Sequence, residues 1–284
     1  MIGLAGEVRA AREDDLEHIA PWTSETFEWG DYVPDRFQRW LTDPHSTVLV
    51  IPDPADRPLA LCHAVMLSAN EGWLEGARVH PDHRRSGLGS ALNRAGVKWL
   101  AERGARVVRL AVEGANESAR NQVEKLGYRR VCDWHQGDLA VDPTRRCPAP
   151  FRLRPVAPSE IDAAWMFWAN SDLALAGREL IPNGWQWRRT RPDDLIEAAG
   201  DGSLYQSPAG WTVARQPKPG RLETTFLATA TEDAPRLFDG LQDLGVRLDV
   251  DTLSVKVPGT PWVVEALTRA GARPREIVVY AKMP

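Results

Sequence analysis

The chain starts twice. VRAAREDDLEHIAPW, from Val8, and LRPVAPSEIDAAW, from Leu153, align without a gap, matching Val8, Arg9, Asp15 and Leu16 to Leu153, Arg154, Glu160 and Ile161. Each reads as a short strand that runs into a helix. The two halves also close alike. VEKLGYRRV in the first and LTRAGARPREIVVYAKM in the second set a glycine, Gly127 or Gly271, between a helical stretch and a strand. Glycine just past a helix supplies its left-handed cap. A sequence that repeats in this way is expected to fold as two copies of one plan.

The seam between the copies is VDPTRRCPAPFRLRP, where Pro143, Pro148 and Pro150 disfavour a packed helix or a central strand. The expected domains are residues 1–142 and 152–284, joined by a linker at 143–151. Apolar residues at 43% and charged residues at 26% suit an ordinary globular chain. A net charge of −4 argues against general nucleic-acid binding, which needs a broad basic face. The N-terminus has neither a basic start nor a long apolar run, and nowhere do ~18 apolar residues follow one another. Neither a signal peptide nor a membrane span is therefore expected. Cys62, Cys132 and Cys147 form no CxxC pair and read as reduced thiols of a cytoplasmic protein. High arginine and low lysine usage points to a GC-rich bacterial genome.

Within the first half, STVLVIPD and PLALCHAVMLS read as adjacent antiparallel strands around PADR, and GWLEGARVHP as a third. SALNRAGVKWLAERG has Leu88, Leu92, Ala95 and Trp99 at helical spacing, with Gly104 as its stop. RVVRLAVEG is a buried-looking strand and NESARNQVEKLG a final helix. The implied class is α/β (α+β): a mixed, mostly antiparallel sheet flanked by helices, in each half.

VHPDHRRSGLGSAL then concentrates Arg84, Arg85, Gly87 and Gly89 where a strand passes into a helix. Free N–H groups and the dipole at a helix start attract anions, glycines let a phosphate approach, and arginines add forked donors. A tight turn with an arginine-rich surface is the plainer reading of the same residues. Ser90-Ala91 is not the GK[ST] of a Walker loop, and Leu92 stands where a dinucleotide fingerprint needs a third glycine.

Arg84-x-x-Gly87-x-Gly89 after a strand, followed by Asn116-x-x-Ala119 opening a helix that ends in Gly127-Tyr128, resembles the GNAT superfamily of N-acetyltransferases. The resemblance covers the first half. It implies that backbone amides of Arg85, Ser86, Gly87, Leu88, Gly89 and Ser90 hold the pyrophosphate of acetyl-CoA, with Arg84 beside them. It also implies that Ala77, Arg78 and Val79 line the pantetheine arm, that the Val79 amide polarises the acetyl carbonyl, and that Asn116 and Ala119 meet the pantetheine. Asn116 also suits a helix N-cap.

The implied reaction is direct attack of an amine on the thioester, and the amine must first lose a proton. Glu75 is the candidate base, placed by strand alternation on the face of Ala77 and Val79; a surface glutamate or a substrate ligand are its other readings. Glu113, Glu25 and Glu28 are weaker candidates, and Trp29 and Tyr32 join the last two in an acidic-aromatic segment suited to a cationic amine. Many members of the family carry a tyrosine that protonates the leaving thiolate; Val123 stands in that place.

In the second half, TEDAPRLFDGLQDLG has no arginine-glycine pattern, and Thr260-Pro261 replaces the asparagine. This half is expected to be a degenerate GNAT domain in which Thr260 caps a helix. NGWQWRRTRP, from Asn183, reads either as a loop reaching a cleft or as a basic turn over buried tryptophans. The six histidines join no carboxylate cluster, and no metal is expected. The expected protein transfers an acetyl group from acetyl-CoA to a primary amine, preferably of a small molecule, because a second domain would wall off the cleft. A protein or peptide amine is the rival acceptor, and a noncatalytic acyl-CoA sensor the rival class. Tandem members that acetylate the mycothiol precursor use their second half, the reverse of the order here. A monomer or homodimer without nucleic-acid or membrane partners is expected.

Overall fold

The computed structural model describes residues 6–24, 26 and 30–284. In chain order the elements are β1 (Arg9–Ala10), α1 (Asp15–Thr23), α2 (Val33–Thr42), β2 (Ser46–Pro52), β3 (Pro58–Ser68), β4 (Glu71–Val79), α3 (Leu88–Glu102), β5 (Val107–Glu113), α4 (Glu117–Lys125) and β6 (Arg129–Ala140). There follow β7 (Arg154–Pro155), α5 (Ile161–Ala169), α6 (Asp172–Ala176), β8 (Leu180–Asn183), β9 (Gln186–Arg189), α7 (Pro192–Gly200), β10 (Leu204–Ser207), β11 (Gly210–Lys218), β12 (Arg221–Ala228), α8 (Ala234–Arg247), β13 (Thr252–Pro258), α9 (Pro261–Arg269) and β14 (Arg275–Lys282). They divide into two compact units. One holds residues up to Leu110 with Val123–Arg129 and Ala281–Pro284; the other holds Ala111–Gln122 and Arg130–Tyr280.

The first unit builds β1, β2, β3 and β4 into antiparallel neighbours and adds β5 parallel to β4. Valine and isoleucine dominate β2, and alternate residues serve opposite faces. Val48, Val50 and Leu61 pack under Val33, Phe37 and Trp40 of α2, while Leu49, Ile51, Ala60 and Cys62 pack under Leu88 and Leu92 of α3. The buried stripe of α3 is Leu88, Leu92, Gly96, Val97 and Leu100, so the expected place of Trp99 in that stripe is corrected. Gly96 belongs to the stripe because a Cβ there would sit 2.6 Å from Leu74 Cδ2. Trp99 stays half-buried beneath the Arg103 guanidinium, 3.8 Å from its ring centre.

The second unit repeats the order. β7, β10, β11 and β12 are antiparallel neighbours and β13 runs parallel to β12. In each unit the fourth strand carries a bulge just where it leaves its parallel partner. Leu61 pairs with Arg78 and His63 with Glu75, so Gly76 and Ala77 together oppose Cys62. Val213 pairs with Phe226 and Ala214 with Thr224, so Thr225 is the extra residue. A bulge turns the strand and reverses which side chains share a face.

β6 ends the first half of the sequence, yet it lies antiparallel along β13, from Ala140 opposite Thr252 to Trp134 opposite Pro258. Residues 143–151 accordingly lie within the second unit, where Cys147 is buried. NGWQWRRTRP forms a hairpin in which Asn183 pairs with Gln186 around Gly184 and Trp185. Trp187 is fully buried, Arg188 pairs with Asp194 at 2.6 Å and Arg189 with Glu179 at 2.6 Å.

Candidate functional site

β4 ends at Val79, a short turn follows at Pro81–His83, and α3 starts at Leu88. Between turn and helix, Arg85 and Gly87 both take left-handed backbone, with φ of 60° and 88°. For an arginine this conformation costs about 1–3 kcal/mol, a strain typical of loops built around a ligand. Among the described residues, no acceptor meets the amides of Arg85 through Ser90, while the next amide, of Ala91, bonds Gly87 O at 3.0 Å. Six consecutive donors, a helix dipole and the exposed Arg84 and Arg85 make this loop electropositive. A Cβ at Gly87 would meet nothing within 4 Å, so the space before the loop is open. The Ser86 hydroxyl donates to His83 O and ties the loop to the turn.

His80 N donates to Leu59 O, and Ala60 faces Val79 in the adjacent pair of the ladder. Hydrogen-bonded and open pairs alternate in an antiparallel ladder, so the Val79 N–H and C=O point away from β3. They face the side on which β5 pairs with β4 only as far as Trp73.

The bulge changes the place of Glu75. Its expected companions, Ala77 and Val79, do not share its face. Val79 packs with the α3 cluster, whereas Glu75 lies opposite His63, on the face that carries Leu61 and α2. His63 Nδ1 lies 3.1 Å from Glu75 Oε1, with side chains 2% and 6% exposed. A search for a carboxylate cluster around the histidines misses this single contact. Counting outward from the Ser68–Glu71 pair sets Glu75 opposite Ala64; the extra residue Leu67 shifts the register and brings His63 there instead.

Arg78 turns to the same face and grips Asp31, Nε to Oδ2 at 2.6 Å and Nη2 to Oδ1 at 3.2 Å. The Asp31 carboxylate is fully buried. Tyr32 stands between the two cations Arg36 and Arg78, 5.1 and 5.2 Å from its ring centre, and burial pushes its hydroxyl pKa up. Glu25, Glu28 and Trp29 lie outside the described residues.

Asn116 Oδ1 accepts from Ala119 N at 3.0 Å, so Asn116 caps α4 and keeps its Nδ2 hydrogens for another partner. Ala119 is half-buried, and Glu113 ends β5 exposed. Val123 is buried and its carbonyl accepts from Leu126 and Tyr128. Tyr128 is buried with its hydroxyl 3.3 Å from Asn93 Nδ2, and burial raises its pKa.

In the second unit the corresponding helix start offers Glu232 and Asp233, carboxylates that repel an anion. The hydroxyl of Thr260 makes no cap and meets no partner among the described residues, which corrects that expectation; Pro261 in the first turn starts α9 instead. Among the described residues no three histidine, cysteine or acidic side chains gather as metal ligands, and no helix is long and apolar enough to cross a membrane.

Residues 16–128 match the Acetyltransferase (GNAT) family. A mycothiol acetyltransferase of Rhodococcus jostii is 44% identical over 52 residues, which are 18% of this chain and 17% of that protein. A GCN5-related N-acetyltransferase of Sphaerobacter thermophilus shares the fold over 97% of this chain and 95% of its own, with a TM-score of 0.69 at 18% identity. A tandem GNAT protein from the clavulanic acid biosynthesis pathway does so over 98% and 97%, with a TM-score of 0.59 at 15% identity. At these identities the two structures speak for the fold alone. The Arg84–Ser90 loop lies inside the match, so residues 16–128 are identified as a GNAT acetyltransferase domain.

Proposed function

We propose that the Arg84–Ser90 loop binds the pyrophosphate of acetyl-CoA and that the first unit passes its acetyl group to a primary amine of a small molecule. The run of six amides from the strained Arg85 to Ser90, which meet no acceptor among the described residues, carries this reading. The donors are already in place, so a diphosphate would replace only water. When bound, acetyl-CoA supplies an activated thioester. The outward N–H of Val79 suits a donor to a developing oxyanion, and its C=O suits pairing with an extended amide chain. Arg78, locked by Asp31, fixes the end of β4. Glu75 takes the ammonium proton, directly or through water. The residues and the group therefore fit. Cys62, Cys132 and Cys147 are buried and form no disulfide, which suits a reducing cytoplasm.

Calorimetry of the full chain with CoA tests the loop. Thiol release from acetyl-CoA across a panel of small primary amines and peptide amines tests the chemistry. Turnover on small amines, lost in Glu75→Gln with CoA affinity kept, supports the reading. Turnover on peptides alone would move the acceptor class. The buried Val123, which has no proton to give a leaving thiolate, favours a second reading, a noncatalytic acyl-CoA sensor. Tight CoA binding with no turnover on any amine would select it.

A further inference from the structure

His63 lies directly across the β3–β4 ladder from Glu75. Its ring is stacked on Trp40, with centroids 4.4 Å apart and planes 9° from parallel. Trp40 reaches this position because residue 76 has no side chain: a Cβ on Gly76 would lie 3.0 Å from Trp40 Cη2. The bulge, the glycine and the tryptophan thus fix one ring orientation. A carboxylate only accepts hydrogen bonds, so in its role as base Glu75 would accept the hydrogen bond of the 3.1 Å contact from His63 Nδ1. Nε2 is buried and meets no partner among the described residues. The ring therefore has one strong polar engagement, with Glu75. Charged and titratable groups near the pair among the described residues include Arg78, ion-paired with Asp31, and Tyr32, flanked by Arg36.

We infer that His63 is a positioning residue for Glu75, its Nδ1–H holding one carboxylate oxygen so that the carboxylate keeps a fixed direction toward the acceptor amine. This rests on the proposal that Glu75 is the base. A base must present its lone pair in one direction, and a hydrogen bond from a fixed ring restricts the carboxylate to it. The clamp supplies that restriction from the neighbouring strand, independently of the acyl donor.

The test uses the full chain. Long-range proton–nitrogen spectra of histidine-labelled protein, with His63 assigned by its absence in His63→Asn, report the tautomer. The expected result is a proton on Nδ1; a ring protonated on Nε2 alone overturns the inference. Kinetics use the amine that turns over fastest. His63→Phe, which can keep the stack on Trp40, is expected to lose at least tenfold in kcat with an unchanged KM for acetyl-CoA. His63→Asn, whose Nδ2 can take the place of Nδ1, is expected to recover most of that loss; thermal melts check that both variants fold. If Glu75→Gln loses turnover while His63→Phe does not, the clamp is wrong and the base stands. If Glu75→Gln keeps full kcat, the base reading falls and the clamp's catalytic role with it.

Discussion

Gly87 and Gly127 offer a controlled comparison. Their φ angles are 88° and 87°, both are exposed, and a Cβ at either would meet nothing within 4 Å. Alanine at either site therefore pays only for left-handed backbone, about 1–2 kcal/mol. The two should lower stability equally, by a few degrees in melting temperature. They differ in what their amides do. The Gly127 N–H is spent on Glu124 O at 3.0 Å, whereas no described acceptor meets that of Gly87, which heads the helix start. Relaxing residue 87 out of the left-handed region swings amides of the loop out of register. Losing one hydrogen bond to a charged group costs about 1.5–3 kcal/mol, or about ten- to hundredfold in Kd. Calorimetric titration of CoA into the wild type, Gly87→Ala and Gly127→Ala, with parallel melts, reads both effects. The expected pattern is equal destabilisation with weakened CoA binding in Gly87→Ala alone. Equal CoA affinity in the two variants would refute the role given to the loop.

Asp31→Ala leaves the Arg78 guanidinium without its buried partner and should cost about 3–5 kcal/mol in urea unfolding; Asp31→Ala with Arg78→Met should recover part of that loss. Hydrogen bonds from the Arg154 side chain, and then from Gln206 and the Ala157 amide, hold Glu160 at a pKa of about 2 against an ordinary 4.5. A lowered carboxylate pKa stabilises above the unfolded value and loses that contribution as pH falls through the folded one. Glu160→Gln should therefore flatten the stability profile between pH 4.5 and 2, as followed by circular dichroism. Burial lowers the Lys256 pKa below its ordinary 10.5. The folded state then resists the charge at neutral pH, so Lys256→Met should melt higher than wild type at pH 7, and the difference should shrink as pH approaches 10.5.

The repeat and the Arg84–Ser90 loop were legible because both are local. Aligned strand-helix starts predict a repeated plan, and β1-β2-β3-β4-β5 and β7-β10-β11-β12-β13 run in matching order. Arg84, Gly87 and Gly89 point to an electropositive turn because charge and backbone freedom are properties of the residues themselves. Glu75 was legible as a residue but not as a direction. Alternation assigns it to the face of Val79, and the extra residue at Gly76–Ala77 reverses that assignment. Gly76 itself was the available hint, since a glycine inside a strand often marks a bulge. The Asp31–Arg78 pair and the stack of Trp40 on His63 join α2 to the sheet through packing that no spacing encodes. Thr260 had the right chemistry for a cap, but its hydroxyl is buried away from the amides it would serve. The partnership of β6 with β13 is still less visible, since the two strands are separated by the whole second half up to β13.

That partnership has a practical side. A gene cut at the proline-rich seam would look like a clean separation of two copies. It would instead strip β13 of the ladder from Thr252 to Pro258 and leave an apolar strand with bare amides and carbonyls along one margin. Such a margin recruits other chains. The expected product of that cut is a sticky fragment pair, and mixing the two fragments should restore solubility if β6 can find its groove again.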